Sequence, residues 1–187
     1  MTKRPVKTLE DIKGLRLRSP GPQQTALLRE LGVSPLTIPI PEVYDALQKG
    51  MADGAVVPFS VIIDFKLFEL IKYHTVANLY VMTMGLAINP KVWNNLPADI
   101  QKAIEELGGS RMSETAGASY DKYDQLGVEA AKKVKAEILS LSVEEKKRWS
   151  DRIRPLNDKW IGEMEGKGLP GKKIFEETRS LVEKYSK

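Results

Sequence analysis

The chain has 187 residues, of which 42% are hydrophobic and 29% charged, the balance of a globular protein that can bury a core without disulfides or metals. Cysteine is absent, which excludes disulfides, thiolate nucleophiles and cysteine-ligated zinc. The formal net charge is only +4. Basic residues such as Lys132 and Lys133 stand beside acidic ones such as Glu129, a pattern that favours a solvated helix face over a nucleic-acid-binding patch. No apolar run approaches the ~18 residues that a membrane span needs.

The first part of the chain alternates short strand patterns with helical ones. Strand patterns lie at residues 14–18, 36–40 and 55–57, and helical patterns follow at residues 24–31, 41–50 and 60–71. Ser60 is the predicted N-cap of the third of these helices. Short connections between alternating strands and helices predict an α/β fold with a mainly parallel sheet covered by helices.

The middle of the chain has a different character. An apolar run at residues 80–88 predicts a strand that bends at Gly85. A helical pattern then extends from residue 100 to about residue 136, long enough to bridge two bodies rather than cover one. Gly108 and Gly109 interrupt this pattern, so we expect a kink or a break there.

The last part of the chain predicts one more strand and two helices. The strand pattern lies at residues 138–141. Ser142 and Glu145 have the spacing of a capping box and predict the start of the next helix. A final amphipathic helix is predicted at residues 172–185.

No set of residues in the sequence builds a catalytic or metal site. The single histidine, His74, cannot form a histidine-based metal site, and no Ser/His/Asp set has a sequence signature. We assign His74 a structural or surface role. Neither common glycine-rich phosphate-binding motif occurs. We therefore expect that the protein is not an enzyme and that it carries no metal or other cofactor.

Arg18 stands out among the charged residues because it is expected at the carboxyl end of a strand, directly before a Ser-Pro-Gly-Pro turn. Ligands of open α/β sheets bind outside the carboxyl ends of the strands. An arginine there can present its planar fork to a carboxylate in a bidentate pair. The alternative is a surface arginine on an edge strand, and the pattern alone leaves both open. Arg16 is expected on the same face but farther from that edge.

Three stretches of the chain carry a family resemblance. Residues 5–18 are similar to a Pro-x-Asp-Leu-Lys-Gly-Leu-Lys-Ile-Arg run that precedes a proline turn. Residues 36–54 are similar to a Glu-Val-Tyr-x-Ala-Leu-Gln-x-Gly-x-x-Asp-Gly segment, and residues 93–101 to a Trp-x-x-Leu-Pro-x-Asp-x-Gln segment. In this order and spacing they resemble the DctP family, the solute-binding proteins of tripartite ATP-independent periplasmic (TRAP) transporters. The likeness extends more loosely over nearly the whole chain.

The resemblance implies a fold and a function. The fold would be a lobe like those of type II periplasmic binding proteins, with a long crossing helix and C-terminal helices. The function would be to bind a small organic acid in the periplasm and to deliver it to the membrane permease subunits. The alternative is a fragment that binds no solute and oligomerises as a protein-interaction module.

The resemblance also implies the residues of the ligand site. The family's carboxylate-binding arginine falls on Arg18. A polar family residue, often Asn or Glu, falls on Val56 or Val57, and both are apolar here, which hints at a ligand with a hydrophobic body. The other residues that we expect in the site are Pro20, Tyr44 and Phe59.

The family pattern includes an N-terminal lobe, which we expect to be missing from this chain. The resemblance then assigns residues 1–82 to the first part of the second lobe and residues 124–187 to the rest of it. Residues 83–123 would be a return strand and a crossing helix that belong with the missing lobe. We expect no signal peptide in this chain, because Met1 to Pro5 leads into polar residues without an apolar run. We also expect a homo-oligomer, because the crossing segment would otherwise expose its apolar side.

Overall fold

In a computed structural model of the chain, residues 1–82 and 84–185 are described. Its strands are β1 (Arg16–Ser19), β2 (Ser34–Thr37), β3 (Gly54–Ala55), β4 (Tyr73–Val76) and β5 (Glu137–Ser140). Its helices are α1 (Leu9–Ile12), α2 (Pro22–Glu30), α3 (Val43–Gln48), α4 (Phe59–Asp64), α5 (Pro90–Asn94), α6 (Ala98–Leu107), α7 (Gly109–Lys133), α8 (Val143–Glu165) and α9 (Gly171–Tyr185). Short 3-10 turns precede α3, at Ile40–Glu42, and follow α4, at Leu67–Glu69.

The strands form a mainly parallel sheet, as the sequence predicts. β1 lies between β2 and β3 and pairs parallel with both, and β4 pairs parallel with β5. The backbone of Thr2 joins the two groups through antiparallel bridges to Gly54 and Tyr73. Parallel strands need helical crossovers, and α2 and α3 supply them between the first three strands.

Two apolar clusters cover the two faces of β1. Leu17 belongs to the first cluster, which also holds side chains of α1, α2 and α8, among them Leu9, Leu28 and Trp149. Arg18 is the next residue and therefore points to the opposite face. Its register partners, Leu36 on β2 and Ala55 on β3, belong to the second cluster or pack against it. That cluster also holds side chains of α3, α4 and α7, among them Leu47, Ile62 and Ala131.

The prediction of a strand at residues 80–88 is wrong. Residues 80–82 and 84–88 have no regular secondary structure, and Thr83 lies outside the described residues. A strand needs a neighbour that completes its hydrogen bonds, and these residues have none in the described part of the chain. The strand in this region is instead β4, which the sequence analysis missed. It begins seven residues earlier and contains His74.

The long helical pattern is confirmed as two helices that meet at Gly108. This residue ends α6 and precedes α7, and Gly109 has a φ of 58°, in the left-handed region that glycine tolerates best. Burial along α7 is uneven. Its only described buried residues are Gly127 and Ala131, in its second half. The proposed boundary between residues 123 and 124 coincides with this change, but the division of the chain stays a prediction.

The sequence analysis was wrong about the start of α4 and right about the start of α8. Ser60 does not cap α4, which begins one residue earlier, at Phe59. The Ser60 backbone N–H donates instead to the Asp124 carboxylate of α7, at 2.8 Å. Ser142 caps α8 as expected, since its hydroxyl accepts from the Glu145 N–H at 3.2 Å. The Glu145 carboxylate accepts from the Leu9 N–H at 2.8 Å, and so ties α8 to the start of α1.

Candidate functional site

Arg18 is the only lysine or arginine that is buried in the described part of the chain, with 8% of its surface exposed. Its Nε donates to the Ile38 carbonyl oxygen, just beyond β2, at 3.0 Å. None of the arginine ion pairs among described residues includes it. Burial lowers the Arg18 pKa from its ordinary value, but an arginine remains charged at neutral pH. The site therefore holds a buried positive charge for which residues 1–82 and 84–185 provide no carboxylate.

Arg16 makes the contrast clear, because it lies on the same face of the same strand. Its guanidinium binds the Asp53 carboxylate in a bidentate pair, with distances of 3.0 Å from Nε and 2.7 Å from the terminal nitrogen. This pairing raises the pKa of Arg16 and lowers that of Asp53. The two arginines are thus two residues apart, and only the one at the carboxyl end of β1 lacks a carboxylate partner.

The turn after β1 is held by buried hydroxyl groups. The Ser19 hydroxyl donates to the Gly21 carbonyl oxygen at 3.1 Å, and the Thr25 hydroxyl donates to Ser19 at 3.0 Å. Buried polar groups that are satisfied in this way fix local geometry. Pro20, an expected site residue, lies half-buried in this turn, directly after the end of the strand.

The residues after β3 divide between the two faces of the sheet. The Val56 N–H donates to the Arg18 carbonyl oxygen at 3.0 Å, and the Val56 side chain packs against the first cluster. Val57 packs against the second cluster, on the face of Arg18. Ile38 packs there as well. Of the two valines that the sequence analysis left open, Val57 is therefore the one on the same face of the sheet as Arg18.

Phe59 and Tyr44 also pack against the second cluster. The Phe59 ring stacks on His74, with ring centres 5.6 Å apart and planes at 27°. The Tyr44 hydroxyl donates to Glu69 at 2.6 Å, and this bond raises the Tyr44 pKa. The polar end of Tyr44 is therefore already engaged, whereas Phe59 offers an apolar ring.

His74 is fully buried in β4, and neither of its ring nitrogens has a hydrogen-bond partner among the described residues. Burial lowers its pKa to about 4, and the positive charge of the Met1 amine acts in the same direction. His74 is therefore neutral at pH 7, and its ring packs against one face of the Phe59 ring.

Tyr80 is half-buried, and the sequence analysis did not consider it for the site. Burial raises the Tyr80 pKa, and the Arg18 guanidinium offsets part of this rise, so the phenol is protonated at neutral pH. The signal that could have brought it into consideration is its place after the carboxyl end of β4, but that strand was not predicted.

Two grooves of about 470 and 480 Å³ lie away from Arg18, between α8 and α9, and are lined by residues such as Asp158, Phe175 and Arg179. Arg179 is already paired with Glu183, at 3.0 Å. Among the described residues there is no cluster of three potential metal ligands. Within the same residues, no helix combines the length and the apolarity that a membrane crossing requires.

Comparison with known proteins shows which family the chain matches. Residues 1–163 match the model of the DctP family, described as "Bacterial extracellular solute-binding protein, family 7". The C4-dicarboxylate-binding periplasmic protein DctP of Rhodobacter capsulatus is 28% identical over 156 residues, which are 82% of this chain and 46% of that protein. The chain thus spans about half the length of the curated relatives that it matches.

Two similar solved structures belong to TRAP solute-binding proteins. One, from Rhodoferax ferrireducens and in complex with copurified benzoate, has 30% identity and a TM-score of 0.87. The match covers 99% of this chain and 59% of that one. The other, from a marine metagenome and in complex with metahydroxyphenylacetate, has 27% identity and a TM-score of 0.86. It covers 100% of this chain and 60% of that one. These similarities confirm the α/β fold, and the relatives are solute-binding proteins rather than enzymes.

Proposed function

Because the chain belongs to the DctP family of bacterial extracellular solute-binding proteins, we propose that it binds a small organic acid anion through a carboxylate–Arg18 pair. The single observation that carries this proposal is the buried guanidinium without a carboxylate partner. A buried charge is costly unless it is paired, and breaking a buried pair typically costs about 3–5 kcal/mol. A ligand carboxylate would supply the missing charge and accept from the planar fork in bidentate geometry.

The position of Arg18 in the fold supports the same conclusion. It lies at the carboxyl end of β1, the central strand of its group, where open α/β sheets bind ligands. We assign Pro20, Tyr44, Val57 and Phe59 to the same site. Val57 and Phe59 offer it apolar surface, Tyr44 contributes its ring rather than its engaged hydroxyl, and Pro20 shapes the turn beside the arginine.

The ligands of the similar proteins share one chemical feature. Benzoate, metahydroxyphenylacetate and a C4-dicarboxylate all carry a carboxylate group, although their bodies differ. One arginine that binds the carboxylate, in a pocket whose other residues vary, would explain why these ligands share a carboxylate but differ elsewhere. This agreement supports the carboxylate as the recognised group of this chain.

The proposal extends to location and partners. We infer that the chain works in the periplasm as part of a TRAP transporter and that it delivers its ligand to the membrane permease subunits. We also propose that residues 1–82 and 124–187 form one lobe. Residues 83–123 would then be the segment that connects this lobe with the remainder of a longer binding protein.

The test is ligand titration with an arginine variant and a matched control. The 187-residue chain, labelled with nitrogen-15, is titrated with sodium benzoate to millimolar concentrations and followed by NMR, which detects weak binding. Arg18→Lys should weaken binding by about 1 kcal/mol or more, at least about fivefold, because the bidentate fork is lost.

Arg16→Lys is the control, since it makes the same change on the same strand but at an arginine that already has Asp53 as its partner. It should leave the affinity for benzoate unchanged. Absence of benzoate-induced shifts in the unmodified chain, or equal effects of the two variants, would refute the role of Arg18.

A second function is favoured by one specific observation, a set of exposed apolar side chains after β4. The exposed fractions are 74% for Val81, 68% for Met84 and 90% for Leu86. Large exposed apolar patches mark interaction surfaces. The chain would then act as a module that self-associates. Self-association without any carboxylate binding would favour this second function over the first.

A further inference from the structure

Phe59, one of the residues that we assign to the ligand site, is held by α7 as well as by its own helix. It is the first residue of α4, and the N–H of the next residue, Ser60, donates to the Asp124 carboxylate of α7 at 2.8 Å. We propose that Asp124 is a positioning residue for the ligand site, which fixes Phe59 through the start of α4 and makes ligand affinity depend on α7. The inference rests on the proposed function and adds to it a residue that controls the geometry of the site without touching the ligand.

The start of α4 needs a hydrogen-bond acceptor that its own N-cap does not supply. The first backbone N–H groups of a helix have no partner within the helix, and an N-cap side chain normally accepts from one of them. The N-cap of α4 is Pro58, whose side chain has no acceptor atom. Ser60 is buried, so its N–H would be costly to leave unpaired. Asp124, sixty-four residues later in the chain, supplies the missing cap.

The same stretch of α7 also contacts Phe59 directly. A Cβ atom added at Gly127, one turn after Asp124, would lie 2.9 Å from the Phe59 Cβ atom and closer still to its carbonyl group. The helix therefore approaches the Phe59 backbone to a distance that only glycine allows. The Phe59 ring in turn stacks on the buried His74 of β4, with ring centres 5.6 Å apart. The position of Phe59 is thus set by α7 and β4 together.

Phe59 is also tied to Arg18 through the chain. The Val56 N–H donates to the Arg18 carbonyl oxygen at 3.0 Å, and Phe59 follows three residues after Val56. Three residues span at most about 11 Å, so the start of α4 lies near the carboxyl end of β1. Loss of the Asp124 cap would lower the fraction of molecules in which Phe59 has its place beside the ligand, and the observed affinity would fall by that fraction.

The experiment measures benzoate affinity by the same NMR titration. Asp124→Ala removes the acceptor and should weaken benzoate binding about threefold to tenfold, the range expected when the loss of a helix cap depopulates the competent geometry. Asp124→Asn keeps an acceptor oxygen at the same place, and asparagine caps helices as well as aspartate does. This variant should bind benzoate as the unmodified chain does.

Ser142→Ala is the matched control, because it removes a helix cap of the same kind. Ser142 caps α8, whose Trp149 belongs to the first cluster, on the face of the sheet opposite Arg18. The control should lower the free energy of unfolding to a similar extent but leave the affinity for benzoate unchanged. A purely structural role of Asp124 would give the same result for both variants.

A double-mutant cycle tests whether Asp124 acts through Phe59. Phe59→Leu keeps an apolar side chain at this position but removes the ring. In that background Asp124→Ala should weaken benzoate binding by less than about twofold, because the ring that it positions is gone.

The His74 ring signals give a readout without ligand, because the stacked Phe59 ring shifts their NMR frequencies. Asp124→Ala should move these signals, and Asp124→Asn and Ser142→Ala should leave them in place. Unmoved His74 signals in Asp124→Ala would show that Phe59 keeps its position without the cap and would overturn the inference.

The outcomes separate this inference from the proposed function. Equal benzoate affinities of Asp124→Ala and Ser142→Ala, or full additivity of Asp124→Ala with Phe59→Leu, overturn the inference and leave the carboxylate–Arg18 pair in place. Benzoate binding that responds neither to Arg18→Lys nor to Asp124→Ala overturns both, as does the absence of benzoate-induced shifts in the unmodified chain.

Discussion

The contact between α7 and α4 can be tested by one methyl group at Gly127. A Cβ atom at this position would lie 2.2 Å from the Phe59 carbonyl oxygen and 2.4 Å from its carbonyl carbon. Real Cβ atoms do not approach other heavy atoms closer than about 3.0 Å, and these are backbone atoms that cannot rotate away. Gly127→Ala must therefore push α7 away from α4 by close to 1 Å.

The expected cost follows from what this movement disturbs. Overpacking against a rigid backbone typically costs about 1–3 kcal/mol. The shift also stretches the 2.8 Å bond from the Ser60 N–H to Asp124, a helix-capping interaction worth about 1 kcal/mol. The better helix propensity of alanine offsets this loss by about 1 kcal/mol. Since the last two contributions offset each other, we expect Gly127→Ala to lower the free energy of unfolding by about 1–3 kcal/mol.

Gly117→Ala is the matched control because it makes the same change on the same helix. No heavy atom lies within 4 Å of its added Cβ, so only the propensity gain remains and stability should rise by up to about 1 kcal/mol. Urea unfolding at a fixed protein concentration, followed by circular dichroism at 222 nm, measures both variants. Equal and stabilising effects of the two substitutions would show that α7 does not pack against α4 as described.

Two further predictions concern pH and assembly. His74 has a pKa of about 4 in the folded chain and about 6.5 when unfolded, so its contribution is complete above pH 6.5 and is lost as the pH falls towards 4. Between pH 7 and pH 5 the free energy of unfolding of the unmodified chain should fall by about 2 kcal/mol relative to that of His74→Phe, a variant that keeps the stacking on Phe59. Urea unfolding at each pH measures both proteins. If the two free energies of unfolding changed equally across this range, the result would contradict a buried neutral histidine. The exposed side chains at Val81, Met84 and Leu86 should drive self-association at micromolar concentration, measured by light scattering, and a stable monomer there would mean that this surface is covered in solution.

The elements up to residue 64 were largely predictable, because each depends on a local pattern. Alternation around Leu17 marks β1, and apolar spacing with a closing glycine marks α2 and α3. The errors arose where a local pattern needs a distant partner. The apolar run at residues 80–88 has the composition of a strand but no neighbour in the described chain, whereas β4, with a less distinctive sequence, pairs with β5 some sixty residues later.

The candidate site was predictable only in part. The sequence pattern identifies Arg18 by its place at a strand end, directly before a proline turn. That it lacks a carboxylate could not be predicted, because Asp53, the partner of the neighbouring Arg16, is thirty-seven residues away in the sequence. Asp124 and Gly127 carry no sequence motif, and each acquires its role from a contact with a distant segment.

By itself, the sequence therefore determined the α/β class and the family, and it singled out Arg18 as the candidate for binding a carboxylate. These follow from periodicity and from short motifs, which are properties of neighbouring residues. The tertiary structure decided which arginine is buried without a carboxylate partner and which of two valines shares its face. These depend on the register of β1 between β2 and β3, because a shift of one residue would place Arg18 on the opposite face and reverse every one of these assignments.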